Sequence, residues 1–221
     1  RGVQTSLSEV LHPNKIDAIE LGLSSDIRMA DKIKELHDYP YVTNSDSHSL
    51  RKIGREYQQL KVKEASFKEF TYCLQNEKGR MIVSNYGMDP RLGKYYRTVC
   101  QHCEVSVPIG KRDCPSCHHE KIIVGVVDRI EQLSNKQSQS SIKRPPYIYQ
   151  VTVEYIPGLG PKTLDKLLRS FKTEMNIIHH VTYDELLTVV PDKIATSIIH
   201  MRTGKLTIAS GGGGKYGKVV D

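Results

Sequence analysis

No run of apolar residues in this sequence approaches the roughly 18 to 20 that a helix needs to cross a bilayer, so no membrane partner is expected. The opening segment RGVQTSLSEVLHP lacks the basic and apolar blocks of a secretory signal. It starts at Arg1 rather than at a methionine and reads as the beginning of a fragment. No period of solenoid length recurs. The GGGGKYG stretch (211–217) is not a phosphate-binding P-loop, because Tyr216 follows Lys215 and no strand-to-helix setting surrounds it. It reads first as a flexible end and second as an anion-binding nest of amides beside Lys215 and Lys218. Cysteine is scarce, five residues in 221, and nothing else points to an oxidising compartment, so the expected location is cytoplasmic.

What is present is unevenly spread. The formal charge is +7, yet residues 1–50 hold 5 Lys/Arg against 8 Asp/Glu, a net −3, which leaves +10 for residues 51–221. A basic surplus confined to part of a chain fits a polyanionic partner, because cations that neutralise phosphates release condensed counterions. A merely solubilising surface is the competing explanation.

Composition divides the chain into three. Residues 1–86 alternate strand and helix: IDAIEL (16–21) as a strand, IRMADKIKELHDY (27–39) as a helix, YVT (41–43) as a second strand, and KEASFKEFTYCLQNE (63–77) as a helix with Phe67, Phe70 and Leu74 on one face. In α/β barrels and open α/β sheets, chemistry collects at the carboxyl ends of strands. Residues 87–134 carry four cysteines and close on the helical stretch VVDRIEQLS (126–134). NKQSQSSIK followed by RPPY makes 135–147 a linker. Residues 148–221 are expected to be largely helical.

Cys100, Cys103, Cys114 and Cys117 form two CxxC knuckles ten residues apart, with VPIGKRD (107–113) supplying turn residues between them. Four thiolates so placed can all reach one tetrahedral zinc ion at about 2.3 Å. A redox pair needs only one CxxC, and a haem-attachment reading of CPSCH leaves Cys100 and Cys103 unexplained. With every position filled by protein, the expected zinc is structural, and His118 and His119 are expected on the surface. Cys73, alone on a predicted helix, reads as a small buried hydrophobe.

IPGLGPKTLDKLL (156–168) has the form of a helix-hairpin-helix. Gly158 and Gly160 would let the backbone approach a phosphate, the amides of the following helix offer donors, and Lys162 beside Thr163 adds charge. Such contacts read the DNA backbone rather than its bases. The preceding helix is the weak part of the motif: QVTVEYI (150–156) is rich in β-branched residues and is expected to make no more than about one turn. YDELLTVVPDKIATSIIHMRTGKL (183–206) resembles a degenerate second copy without the glycines, with Ile194, Ile198 and Met201 on one helical face, and reads as packing support for the first hairpin. In SDSHS (45–49), Asp46 and His48 flank one residue after a predicted strand, and carboxylate plus imidazole suits a divalent metal. By itself D-x-H in a polar turn is most often only a turn.

The order of IELGLSSD (19–26), TNSDSHS (43–49), KIGREY (52–57), the CxxC pair, RPPY (144–147), IPGLGPKTL (156–164) and GGGGKYG (211–217) resembles endonuclease Q, a family of DNA repair enzymes with a polymerase-and-histidinol-phosphatase (PHP) domain. The resemblance implies an α/β fold, the C-terminal strands and helices of a PHP barrel over 1–86, then a four-cysteine zinc ribbon over 87–134 and an all-α helix-hairpin-helix domain over 148–221. It turns Asp46 and His48 into ligands of a Zn2+, Mg2+ or Mn2+ cluster. It implies incision on the 5′ side of hypoxanthine, uracil, xanthine or an abasic site in damaged duplex or single-stranded DNA, with replication or repair proteins as further partners. The family's early H-x-H and its middle ligands have no match in this sequence, so an inactive fragment is expected. Arg55, just after the metal turn, would contact phosphate or base, or equally pair with Glu56 or another acid. Lys215 is a further expected DNA contact. Two rival readings are a stand-alone zinc-ribbon and helix-hairpin-helix DNA-binding module, and a PHP phosphoesterase acting on a small phosphate ester.

Overall fold

The computed structural model describes residues 4–134 and 143–220. The expected linker lies outside the described residues up to 142. From Lys143 onward it is packed: the Arg144 guanidinium donates to Asp31 Oδ1 at 3.0 Å and to the carbonyls of Tyr39, His37 and Leu36, and lies 3.9 Å above the Tyr41 ring. Among the described residues no helix is long and apolar enough to cross a membrane.

Two short parallel strands, β1 (Ile19–Glu20) and β2 (Tyr41–Val42), pair Ile19 with Tyr41. Between them the expected helix over 27–39 is reduced to one turn, α1 (Ile27–Ala30), and a 3-10 turn at Lys34–Leu36. The reason lies at Asp31. Its carboxylate accepts from Tyr41 and Arg144, and its carbonyl lies 2.8 Å from the His37 ring nitrogen, so the helical ladder stops there. The core here is small: Leu21, Ile27, Ala30 and Tyr41.

The next sheet has β4 (Met81–Met88) at its centre, antiparallel to β3 (Tyr57–Lys61) and parallel to β7 (Tyr147–Gln150). Helix α2 (Phe67–Gln75) crosses between β3 and β4. The Ser66 side chain caps its start, and Asn76 ends it in the left-handed region at φ 54. The two sheets are linked by side chains: Thr43 donates to the Tyr57 carbonyl at 2.6 Å and Asn85 to that of Tyr41 at 3.1 Å.

β5 (Val99–Cys100) and β6 (Ile122–Ile123) make a two-residue ribbon leading into α3 (Val126–Leu133). Gly125 begins α3 so close to residues 97–98 that a Cβ would meet the Arg97 carbonyl carbon at 2.2 Å.

Beyond β7 the segment 150–156 makes a single 3-10 turn, Val153–Tyr155, as its β-branched residues predict. Four helices follow: α4 (Pro161–Phe171), α5 (Glu174–His179), α6 (Tyr183–Leu187) and α7 (Asp192–Arg202). Leu167, Ile177, Leu186 and Ile198 are fully enclosed between them. Ile194, Ile198 and Met201 are all buried. Met88 and Leu92 enter the same core from before the ribbon, and Val219 enters it from the end of the chain.

The glycine tail is not a flexible end. It is the loop of a hairpin between β8 (Thr207–Ala209) and β9 (Lys218–Val220), fixed to residues 91–97. Gly211 N donates to Arg91 O, Gly214 N to Lys94 O, Gly217 N to Leu92 O, and Arg97 N to Gly211 O. A Cβ on Gly211, Gly212 or Gly217 would lie within 3 Å of backbone atoms. Nor is it an anion nest, since the amides of Gly211, Gly212, Gly214, Lys215 and Gly217 all donate to carbonyls of the protein.

Candidate metal centres and nucleic-acid interface

The ribbon brings its four sulfurs within 4.8 Å of one another, and among the described residues it is the one cluster of three or more potential ligands. Cys100 Sγ lies 3.6 Å from Cys117 Sγ, and Cys103 Sγ lies 3.4 Å from Cys114 Sγ. A tetrahedral ion with bonds of about 2.3 Å calls for sulfurs about 3.8 Å apart, so the cluster could hold a metal with little adjustment. The amides of His102 and Ser116 donate to Cys100 Sγ and Cys114 Sγ. The amide of Cys117, followed by that of Ser116, draws the Cys114 thiol down to about 6, and the Cys103 and His102 amides lower Cys100 in the same way. Cys117 is pushed up to about 12: the His119 amide lowers it, but burial and hydrogen bonds to the neighbouring sulfurs prevail. The three histidines stay outside the sulfur cluster, with His102 and His119 stacked 5.3 Å apart.

In the hairpin, Ile156 and Leu159 are buried and anchor the turn, while Gly158 takes φ +80, a conformation suited to glycine. No atom lies within 4 Å of where a Cβ on Gly158 or Gly160 would sit, so this face of the backbone is open to approach. Gly160 caps α4 and Pro161 opens it. Lys162 projects into solvent from the first turn and Thr163 is half-buried.

Asp46 and His48 stand just beyond β2. Asp46 adopts φ +43, its Oδ1 lies 3.8 Å from His48 Nε2, and the two side chains are 85% and 89% exposed. Among the described residues the pair gathers no third ligand. Sequence reasoning missed Glu20, which ends β1 on the same edge and accepts from Asn44 at 2.9 Å. An acid closing a short parallel strand was the available signal.

Arg55 does not pair with Glu56: within 4.0 Å no salt bridge forms, and its buried Nε has no partner. Glu56 is 3% exposed and accepts from the Met88 amide at 2.8 Å through Oε1, while Oε2 is unpartnered. Burial pushes its carboxyl up to about 7, against the lowering by the Met88 amide and the charge of Arg55.

The 3-10 turn Leu50–Lys52 follows the Asp46–His48 turn directly. Lys52 pairs with Glu154 beside the hairpin, and Arg51 lies 3.7 Å from Asp165 on α4. The acid–imidazole turn and the glycine hairpin are therefore neighbours. Lys215 reaches the ribbon, pairing with Glu104 at 2.6 Å.

No protein-family model matches the chain. It is 47% identical over 219 residues to the uncharacterized protein YqxK of Bacillus subtilis, covering 99% of this chain and 56% of that protein. It is 34% identical to the uncharacterized protein MJ0043 of Methanocaldococcus jannaschii, covering 93% of this chain and 28% of that one. The chain thus spans little more than half the length of the first of these relatives. Among solved structures, the lesion-specific endonuclease PfuEndoQ of Pyrococcus furiosus superposes with a TM-score of 0.84 at 35% identity, covering 98% of this chain and 58% of that one. An endonuclease Q in complex with a 27-mer duplex substrate, an abasic lesion at its active site, gives 0.84 at 34% identity and the same coverage. With about a third of its residues identical and one backbone course over almost its whole length, the chain belongs to the endonuclease Q family.

Proposed function

We propose that this chain is the DNA-gripping part of a repair endonuclease that hydrolyses a phosphodiester on the 5′ side of hypoxanthine, uracil, xanthine or an abasic site. The observation that carries the reading is the pairing of Lys52 with Glu154 and Arg51 with Asp165, which sets the Asp46–His48 turn against the hairpin. A backbone held at Gly158, Gly160, Lys162 and Thr163 would pass that turn. The family to which the chain belongs, and the duplex bound by one of its structural neighbours, support DNA as the partner.

Asp46 and His48 would hold one edge of a divalent-cation cluster. Such cations supply Lewis-acid activation of the attacking water and neutralise charge developing on the phosphate. Arg55, with its unpartnered Nε beside the turn, would meet a phosphate or base. The four cysteines would hold a structural zinc that fixes the ribbon, and Lys215 would contact DNA at the price of its bond to Glu104. A damaged base leaves the stack more readily than a paired one, which would help lesion selection.

Because Asp46 and His48 gather no third ligand among the described residues, the 221-residue chain is expected to bind DNA without cutting it. That same observation favours a second reading, a DNA-binding zinc-ribbon and hairpin module with no catalysis of its own. One metal ion per chain fits either; three or four would mean a complete catalytic cluster.

Fluorescence anisotropy with duplexes containing and lacking hypoxanthine tests the interface. Affinity should fall steeply with salt. Lys162→Ala should weaken both duplexes equally and reduce the salt slope by about one. No binding at low salt would overturn the DNA reading, and incision by this chain would overturn its inactivity alone.

A further inference from the structure

The 3-10 turn beside the metal turn carries a feature that neither the cysteines nor the hairpin explains. Leu50 is 86% exposed and Ile53 is 66% exposed, the first and third most exposed large hydrophobic residues among those described. Leu50 opens the 3-10 turn and Ile53 caps it, with Ile53 N donating to Leu50 O, so the two aliphatic groups leave one turn three residues apart as a single ridge.

The residues between them point elsewhere and are tied down. Arg51 reaches Asp165 and Lys52 reaches Glu154. Asp165 lies one helical turn beyond Lys162 on α4, hence on the same face as the expected phosphate contact. At the base of the turn the backbone is fixed as well. Lys52 N donates to Ser49 O, Arg55 N to Lys52 O, the Gln150 side chain to Arg55 O, and Met88 N to Glu56. The ridge is therefore a preset projection with an apolar edge, flanked by cations and standing between the acid–imidazole turn and the hairpin.

We propose that Leu50 and Ile53 form a wedge that enters the base stack of duplex DNA next to the damaged nucleotide and holds the unstacked step open. This rests on the DNA reading above and adds to it the residues that part the duplex. Apolar side chains inserted between base steps unstack and kink DNA, and the cost falls at a step already weakened by a lesion. Arg51 and Lys52 would exchange Asp165 and Glu154 for phosphates as the ridge enters, and exposed Lys162, one turn from Asp165 on the same helix, adds a cation on that side.

The test uses the purified 221-residue chain and duplexes bearing 2-aminopurine beside an abasic site, whose fluorescence rises on unstacking. Wild type should raise the signal on binding. The double variant Leu50→Ala/Ile53→Ala should lower the fraction opened by at least about tenfold, since two aliphatic side chains lose their burial. Its salt slope should stay that of wild type, since neither residue is charged. Leu50→Met should retain most of the effect. Both residues lie outside the core, and circular dichroism checks that the variants are folded. Binding without any fluorescence rise, or an equal rise in the double variant, overturns the wedge and leaves the DNA reading standing. Failure of wild type to bind at low salt overturns both. A change in sedimentation of the double variant would show a contact between copies of the chain and overturn the wedge as well.

Discussion

The helical region and the cysteine-bearing ribbon answer one physical problem in different ways. Helices α4 to α7 surround fully buried Leu167, Ile177, Leu186 and Ile198, and they recruit Met88, Leu92 and Val219 from elsewhere in the chain. The ribbon has two strands of two residues, and its enclosed side chains are chiefly Val99, Val107 and the sulfurs themselves. A region so small cannot bury enough apolar surface to offset its lost chain entropy, so it needs a cross-link. The strand region around β1 and β2 is a third case: an apolar cluster of four residues, held mainly by side chains that bond to distant backbone.

Removing the proposed zinc should separate the first two regions most sharply. A strong chelator at neutral pH should disorder residues 99–123, because structural zinc contributes about 10–16 kcal/mol to such a site. The helical far-UV signal should persist, and amide exchange should locate the loss. Simultaneous melting of the helices would show that ribbon and helices are one cooperative unit.

Arg144→Met probes the strand region. It breaks the contact with Asp31 and leaves the Tyr39 and His37 carbonyls without a donor, so urea unfolding should reveal a loss of about 3–5 kcal/mol. The change should fall on residues 19–42 and leave the helical core in place.

Glu56→Gln should act in the opposite direction and depend on pH. The folded-state value is raised to about 7 from the ordinary 4.5, so the favourable contribution of the protonated form is complete below about 4.5 and is lost as pH rises through about 7. At pH 8 the variant should be more stable than wild type by about 2 kcal/mol, and below pH 4.5 the two should converge, as thermal unfolding across that range would reveal. A pH-independent difference would mean that the carboxyl is not the titrating group. Lys215→Ala should have the smallest effect, under about 1 kcal/mol, since its pair with Glu104 is exposed on both sides. A larger loss in thermal unfolding would mean that this pair helps join ribbon to tail.

The same contrast explains what could be read from the sequence. The cysteine cluster was legible because metal geometry fixes residue type and spacing together. Helices α2, α3, α4 and α7 were legible because their apolar periodicity is local, and the turn before α4 because φ +80 at Gly158 favours a glycine. The 27–39 segment misled because Asp31 is claimed by Tyr41 and Arg144, partners 10 and 113 residues away. The docking of the glycine tail was hidden for the same reason: its contacts are backbone atoms at 91–97, which no side-chain pattern announces. Asp46 and His48 could be named from the resemblance, whereas Glu20, Asn44 and the Lys52–Glu154 link emerge only when the strands are set side by side.

The seam between residues 91–97 and the loop 211–217 carries a consequence for assembly. The Arg97 side chain reaches Ser210 O across 113 positions, and closing a loop of that length is entropically costly before any contact repays it. A ribosome-bound chain that has emerged only as far as the ribbon holds the carbonyls of Arg91, Leu92 and Lys94 bare to water, awaiting amides not yet synthesised. This joint should therefore be among the last to form, and a chain trimmed before residue 211 should retain its helices while the ribbon swings free of them.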